Sequence, residues 1–433
     1  MPSRRKFLKD ASLLGAASMT LGSSLSARST PALERPQASP KDLARDEAFW
    51  SRVAAQYRVT TGVINLEGGY FGLMALPVLE AFHRNADRAN DGSSFFARRE
   101  FPAIYQATRQ KVAAFVGAKP TELALTRNAT EALQALIGQY NKVGPGDTVM
   151  YADLDYNAMQ WAMNELAARR GATVARLTIP EPANHDAIID AYRKALDSNP
   201  STKLLLLTHC NNKTGLIIPV KAIVALARAR GADVVVDAAH SFGQVALTMA
   251  DLDAEFVGLN LHKWVGAPIG AGAMYSREDR IASIDRAHAD ESAPATSIDS
   301  RVHTGTVNLA TVMTVPAALD FQASIGVENK AARLRYLRDR WVTAVRTVKG
   351  VDILTPDDPN LVGAITSFRL HGRGEGDSNR AVTRTLLDEF GIFTFARTGI
   401  AKGDCVRVTP ALYNSASDLD KFAAALTKIA ARG

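Results

Sequence analysis

The chain has 433 residues, 47% of them apolar, 22% charged and 7% aromatic, which describes a globular protein with a large core and more length than one core serves. Its net charge of +7 is partly local, because Arg4, Arg5, Lys6, Lys9 and Arg28 against Asp10 account for +4 and leave +3 for the rest. Without a basic run beyond the N-terminus, that balance argues against a nucleic-acid surface and suits small anionic ligands.

The first thirty residues read as an address. Ser3-Arg4-Arg5-Lys6-Phe7-Leu8-Lys9 is a twin-arginine signature, followed over residues 11–25 by a weakly apolar segment rich in Ala, Gly and Ser. That segment is too short and too broken by small polar residues to span a membrane stably. The expectation is a signal peptide over residues 1–32, cleaved near residues 26–32, and export through the twin-arginine translocase to the periplasm. That route carries proteins already folded, commonly with cofactor loaded in the cytoplasm. Only Cys210 and Cys405 are present, so a disulfide framework is not indicated.

Residues 33–62 read as a linker and N-terminal segment, with an amphipathic helix over 42–57. A short strand at 63–66 leads into Glu67-Gly68-Gly69-Tyr70-Phe71-Gly72, and residues 77–90 and 101–116 have helical periodicity. Strand and helix then alternate: strands at 123–126, 147–151, 173–179, 204–208 and 233–237, helices at 130–140, 161–170 and 220–230. This alternation predicts an α/β fold with a mostly parallel sheet, forming a large domain over residues 63–310. From residue 311 the pattern changes to long helices at 317–325 and 329–348, then strands and a last helix at 416–431. It predicts a smaller α+β domain over residues 311–433.

The chemistry is concentrated in residues 255–275. A short apolar run ends in His262 and Lys263 and passes into a turn with Gly266, Pro268, Gly270 and Gly272 before a second strand. A lysine where a strand runs out points at a cleft, as a Schiff-base lysine for pyridoxal 5'-phosphate (PLP) or as a solvated lysine before a turn. Asp237 ends the run Val234-Val235-Val236, where a carboxylate either caps the turn or faces a cation such as a protonated pyridine nitrogen. Its 26 residues of separation from Lys263 make one strand–connection–strand unit, which puts both at neighbouring strand ends. In open α/β sheets ligands bind there. Thr126-Arg127-Asn128-Ala129-Thr130-Glu131 precedes a helix, and Thr130 reads as a helix cap or as part of an anion site.

Together Asp237-x-x-His240, His262-Lys263-Trp264, Pro268-x-Gly270-x-Gly272, Thr126 through Glu131, Asn211-Asn212-x-Thr214-Gly215 and Gly305-Thr306-x-Asn308 resemble the class V aminotransferase family of fold-type I PLP enzymes, in its isopenicillin N epimerase-like branch. The resemblance implies that Lys263 carries the cofactor and Asp237 pairs with its ring nitrogen. It implies a phosphate held by Asn128, Ala129, Thr130 and His262, with Asn260 where many relatives have a Ser. Tyr156 would stack on the ring, and Asn212 and His240 would approach its phenolic oxygen. Gly305 and Thr306 match a motif that reaches the neighbouring subunit's phosphate, which implies a homodimer with shared sites. Arg407 matches the arginine that grips a substrate carboxylate, and Arg397 is a second candidate. No metal site is implied.

The reaction depends on which bond at the substrate α-carbon is held perpendicular to the ring, so epimerisation, amino transfer, oxidation and elimination stay open. Cysteine desulfurases of the family need a mobile Cys after an Arg-Thr-Gly motif. Here that loop is short and Cys405 reads as core. A twin-arginine signal on such a chain is similar to periplasmic PLP enzymes that mature pyoverdine-type siderophores, where a peptide-borne glutamate amine is modified. The non-enzymatic alternative is a PLP-fold binding protein without chemistry.

Overall fold

The computed structural model describes residues 37–288 and 290–432. The twin-arginine signature, the apolar segment behind it and the expected cleavage region lie outside the described residues. The expected N-terminal helix is two helices, Pro40–Leu43 and Glu47–Ala54. Asp46 divides them, its carboxylate accepting the Phe49 N–H at 2.9 Å as the cap of the second.

The strands, in chain order, are β1 (Ile64–Asn65), β2 (Leu123–Thr126), β3 (Thr148–Ala152), β4 (Thr173–Leu177), β5 (Thr202–Thr208), β6 (Asp233–Asp237), β7 (Phe256–Asn260) and β8 (Gly272–Ser276). Long helices Leu76–Arg99 and Phe101–Val116 precede β2, and helices Ala129–Gly138, Asn157–Arg170, His185–Ser198 and Val220–Arg228 connect the later strands. The helix His185–Ser198 goes beyond the elements expected from sequence. Asn184 caps it, and Ile188, Tyr192 and Leu196, four residues apart, form its buried stripe. The helix Asn157–Arg170 begins four residues before the expected start, because its first turn already faces the core through Met159.

Among the described residues β2 to β8 form one sheet in the order β2-β8-β7-β6-β5-β3-β4. Neighbours are parallel except where β8 pairs, antiparallel to both β2 and β7. The reason is the link from Asn260 to Gly272, which carries no crossover helix and so returns the chain beside the strand it left. Leu204 to Leu207 and Val234 to Val236 are buried on both sheet faces, as their unbroken apolar runs require.

Beyond these lie β9 (Val351–Ile353), β10 (Thr366–Leu370), β11 (Ile392–Phe393), β12 (Phe395–Arg397) and β13 (Cys405–Val408). The order β12-β13-β10-β9 makes an antiparallel sheet, on which Trp341 and Phe422, their rings 5.1 Å apart, pack against Phe368 of β10. β1 leaves the first part of the chain and pairs in parallel with β11, Ile64 opposite Ile392. The helix expected from residue 317 begins at Leu309, capped by Asn308, and contains Pro316. An interior proline removes one backbone bond, and burial against Leu76–Arg99 and Phe101–Val116 holds the helix through it.

Candidate active site

A cavity of about 450 Å³ opens at the carboxyl ends of β2, β5, β6 and β7, and the arginines of β12 and β13 complete its wall. Its position follows from parallel strands, whose ends and following turns converge on one edge of the sheet.

Lys263 stands three residues after β7, on a turn held from several sides. The N–H groups of Leu261 and His262 both donate to the Ala271 carbonyl, and the Gly72 N–H donates to the His262 carbonyl at 2.8 Å. Beneath, buried Lys330 donates to the Trp264 carbonyl and Gln322 to that of Val265. A Cβ on Gly72 would lie 1.9 Å from the Lys263 carbonyl oxygen, so only glycine fits there. The Lys263 Nζ lies 3.0 Å from the His240 Nε2. Burial pulls the Lys263 ammonium down to about 8, with Asp237 opposing and Arg407 and Arg397 adding repulsion. Burial, then the charges of Lys263 and the two arginines, hold the His240 imidazolium well below its ordinary value. His240 is therefore neutral and accepts from the lysine, which leaves its buried Nδ1 without a partner among the described residues.

Asp237 ends β6 directly opposite Gly258 of β7, so it and Lys263, in the turn after β7, do lie at the ends of neighbouring strands. Its carboxylate accepts the Ala239 N–H at 2.9 Å, and burial raises its pKa against the pull of that N–H and of Lys263. Buried Asp155, raised to about 7 chiefly by burial, accepts the N–H groups of Ala152 and Thr208 beneath the same edge. Tyr156, half-exposed, lines the cavity just before the helix Asn157–Arg170, its N–H donating to the Thr208 hydroxyl at 3.3 Å.

At the helix Ala129–Gly138 the capping role weighed for Thr130 falls to Asn128, whose side chain accepts the Glu131 N–H at 2.8 Å. Thr130 is free to line the cavity. The Ala129 N–H, expected to face a phosphate, donates instead to the Asn260 Oδ1 at 2.8 Å, a bond possible because Asn has an acceptor at that reach. His262 Nδ1 donates to the Ala271 carbonyl at 2.9 Å, so its Nε2 donates only in the imidazolium form.

Arg407 and Arg397 reach the cavity from adjacent strands, with Arg397 opposite Cys405 in the β12–β13 register. Neither guanidinium is unengaged. Arg407 Nε donates to Glu67 Oε2 at 3.2 Å, its Nη2 to Glu67 Oε1, and its Nη1 to the Asn212 carbonyl at 2.8 Å. Arg397 Nη2 donates to the same Glu67 Oε1 at 2.7 Å. Glu67 is the residue that sequence reasoning passed over, and its signal was a charged residue in an otherwise apolar, glycine-rich turn. Asn212 lines the cavity with a buried Oδ1 that has no partner among the described residues.

Gly305 and Thr306 are exposed and do not line this cavity. Cys405 and Cys210 are fully buried, and burial pushes both thiols up to about 12.

The sequence matches the aminotransferase class-V family over residues 77–422. The chain belongs to the class-V aminotransferase family. It is 27% identical over 398 residues to the isopenicillin N epimerase of Amycolatopsis lactamdurans, across 88% of this chain and 98% of that one. It is 28% identical over 415 residues to a putative L-cysteine desulfhydrase of Oryza sativa subsp. japonica, across 86% and 84%. Its fold is that of a cysteine desulfurase from Escherichia coli, with a TM-score of 0.74 at 22% identity, covering 88% of this chain and 98% of that one.

As a class-V enzyme the protein uses pyridoxal 5'-phosphate. The residues present fit that group. Asp237 is a buried carboxylate that accepts the Ala239 N–H and whose charge Lys263 favours, and Asn212 Oδ1 and His240 Nδ1 are buried polar atoms without a partner among the described residues, on side chains that line the same cavity. Gly69 lines the cavity where a Cβ would stand 3.0 Å from the Thr409 methyl and in ordinary contact with His240 at 3.4 Å and Arg407 at 3.5 Å. Asp237 would hold the ring nitrogen, Lys263 the aldehyde carbon, and Thr130 with His262 the phosphate.

Proposed function

We propose that this class-V enzyme acts on the amino group or α-carbon of an amino acid, free or peptide-linked, as an aminotransferase or epimerase. The observation that carries the reading is the pairing of Lys263 Nζ with neutral His240 at 3.0 Å, inside the cavity that also receives Arg397 and Arg407. PLP, when bound, supplies an electron sink for charge developing at the α-carbon. Lys263 Nζ, drawn to about 8, is suited to take a proton from that carbon and return it. Asp237 keeps the cationic ring partner in place, and the arginine pair orients a carboxylate.

A second reading is carbon–sulfur bond cleavage, favoured by the desulfhydrase relative. Thiol-mediated desulfuration is disfavoured, since Cys405 is buried within β13 and its thiol is held near 12. The reading as a silent binding protein is disfavoured by Lys263, Asp237 and Arg407 sharing one cavity.

The purified protein is expected to be yellow and to lose its colour on borohydride reduction, and the Lys263→Ala variant to lose the lysine-linked band. A wild-type protein that binds no PLP overturns the reading. Incubation with amino acids in deuterated water separates the outcomes: α-proton exchange marks an epimerase, keto-acid release a transaminase, and sulfide or ammonia release a lyase.

The same proposal extends to export by the twin-arginine translocase to the periplasm, resting on Ser3 through Lys9, and to a peptide-borne glutamate of a siderophore as one substrate. A reporter fused to residues 1–35 that stays cytoplasmic would refute export. It extends also to a homodimer with shared sites, for which the exposed Gly305 and Thr306 are the support. Light scattering that gives a monomer mass removes that part.

A further inference from the structure

The arginine pair is not an open dication. Glu67 lies between Arg407 and Arg397 and accepts from both, giving Oε2 to one and Oε1 to each. Its backbone is fixed, since its own N–H donates to Asn65 Oδ1 at 2.9 Å. On either side, the Thr409 N–H donates to the Leu66 carbonyl at 2.7 Å and the Gly68 N–H to the Thr409 carbonyl at 3.0 Å. Thr409 lies two residues past Arg407, so the carboxylate and the guanidinium it meets are carried by paired backbone. Glu67 and Arg407 are both nearly inaccessible to solvent, where an unpaired second cation is costly, and burial together with Arg407 draws Arg397 down to about 10.

We propose that Glu67 sets the substrate class of this site: two guanidinium charges less one carboxylate leave a single positive charge, so the site admits a ligand with one carboxylate and disfavours a dicarboxylate. The inference rests on the cavity being an amino-acid site that grips carboxylate. Arg397 takes the larger part of that grip. It gives Glu67 one nitrogen, and its buried Nε has no partner among the described residues, whereas every nitrogen of Arg407 has one. A second carboxylate brought beside the first meets the fixed charge of Glu67 in a poorly solvated wall, where like charges repel strongly.

The test uses the cofactor-loaded protein and two four-carbon acids without an amine, butyrate and succinate, with binding read by calorimetry. Because neither acid reacts with PLP, a failure of the cofactor reading shows separately in the absorption spectrum. Glu67→Gln keeps the size of the side chain and removes its charge, and is expected to raise affinity for succinate relative to butyrate by about tenfold. Glu67→Asp, which keeps the charge, retains the wild-type ratio. An unchanged ratio in Glu67→Gln, parallel loss of both ligands, or an equal rise in Glu67→Asp overturns the proposal. If Glu67→Gln does not fold, Arg397→Gln carries the test. It leaves a neutral pair and is expected to weaken butyrate about tenfold, and undiminished butyrate binding overturns the proposal.

Discussion

Lys263 Nζ and His240 Nε2 stand 3.0 Å apart, His240 buried and Lys263 half-buried where it lines the cavity. A lysine held near 8 against an ordinary 10.5 is charged at neutral pH at a cost to the fold. The sign is fixed: both folded and unfolded chains carry the proton below pH 8, so the penalty is complete there. It fades as pH rises to about 10.5, where both chains have lost it. In cofactor-free protein Lys263→Met is therefore expected to be more stable than wild type by about 3 kcal/mol at pH 7. The advantage shrinks toward pH 10. Urea melts at pH 7 and 9.5 check it, and a pH-independent difference would contradict it.

Gly72→Ala forces a Cβ into the Lys263 carbonyl, whose backbone is pinned by Ala271 and Lys330 and has little room to retreat. A loss of about 3 kcal/mol is expected, with markedly weaker PLP retention on dialysis. Gly144→Ala, with only a carboxylate oxygen at 3.9 Å, is the control and is expected to behave as wild type.

Asn260→Ala removes the acceptor of the Ala129 N–H and leaves a buried donor unpaired. The expected cost in cofactor-free protein is about 1–3 kcal/mol. Loading with PLP is expected to recover part of it, because the freed N–H at a helix N-terminus then has an anion to face. Paired thermal melts with and without PLP show whether the deficit narrows.

Asp237→Asn keeps the shape of the β6 terminus and removes its charge. Turnover is expected to fall on the order of a hundredfold or more, with the protein still coloured by bound cofactor. Full turnover in this variant would remove Asp237 from its assigned role.

Cys405→Ala is expected to keep turnover within about twofold, because a thiol held near 12 is thiolate only on the order of 10⁻⁴ of the time at pH 8. Native protein is expected to leave both cysteines unreacted with an aromatic disulfide reagent. Rapid labelling of Cys405 would reopen thiol-mediated desulfuration.

Local pattern was enough for β6, which spans the expected residues 233–237, and for the lysine turn after β7. Both are set by neighbours in the chain: an apolar run that demands burial on two faces, and glycines that permit one close turn. The 26-residue step from Asp237 to Lys263 had meaning because consecutive parallel strands lie side by side, and the sheet bears it out. The helix His185–Ser198 was not among the expected elements, although its stripe of Ile188, Tyr192 and Leu196 lies in plain periodicity.

Only the tertiary structure joined Glu67 to Arg407 and Arg397, 340 and 330 residues away, and the Ala129 N–H to Asn260 across 131 residues. Periodicity records that a face is buried and is silent about what buries it. The pairing of β1 with β11, and of Glu67 with Thr409, comes from sheet register, which is decided by the whole chain closing on itself. The sequence by itself determined that a lysine and a carboxylate meet at the end of a parallel sheet. The folded chain decided how much charge the arginines beside them have left to offer.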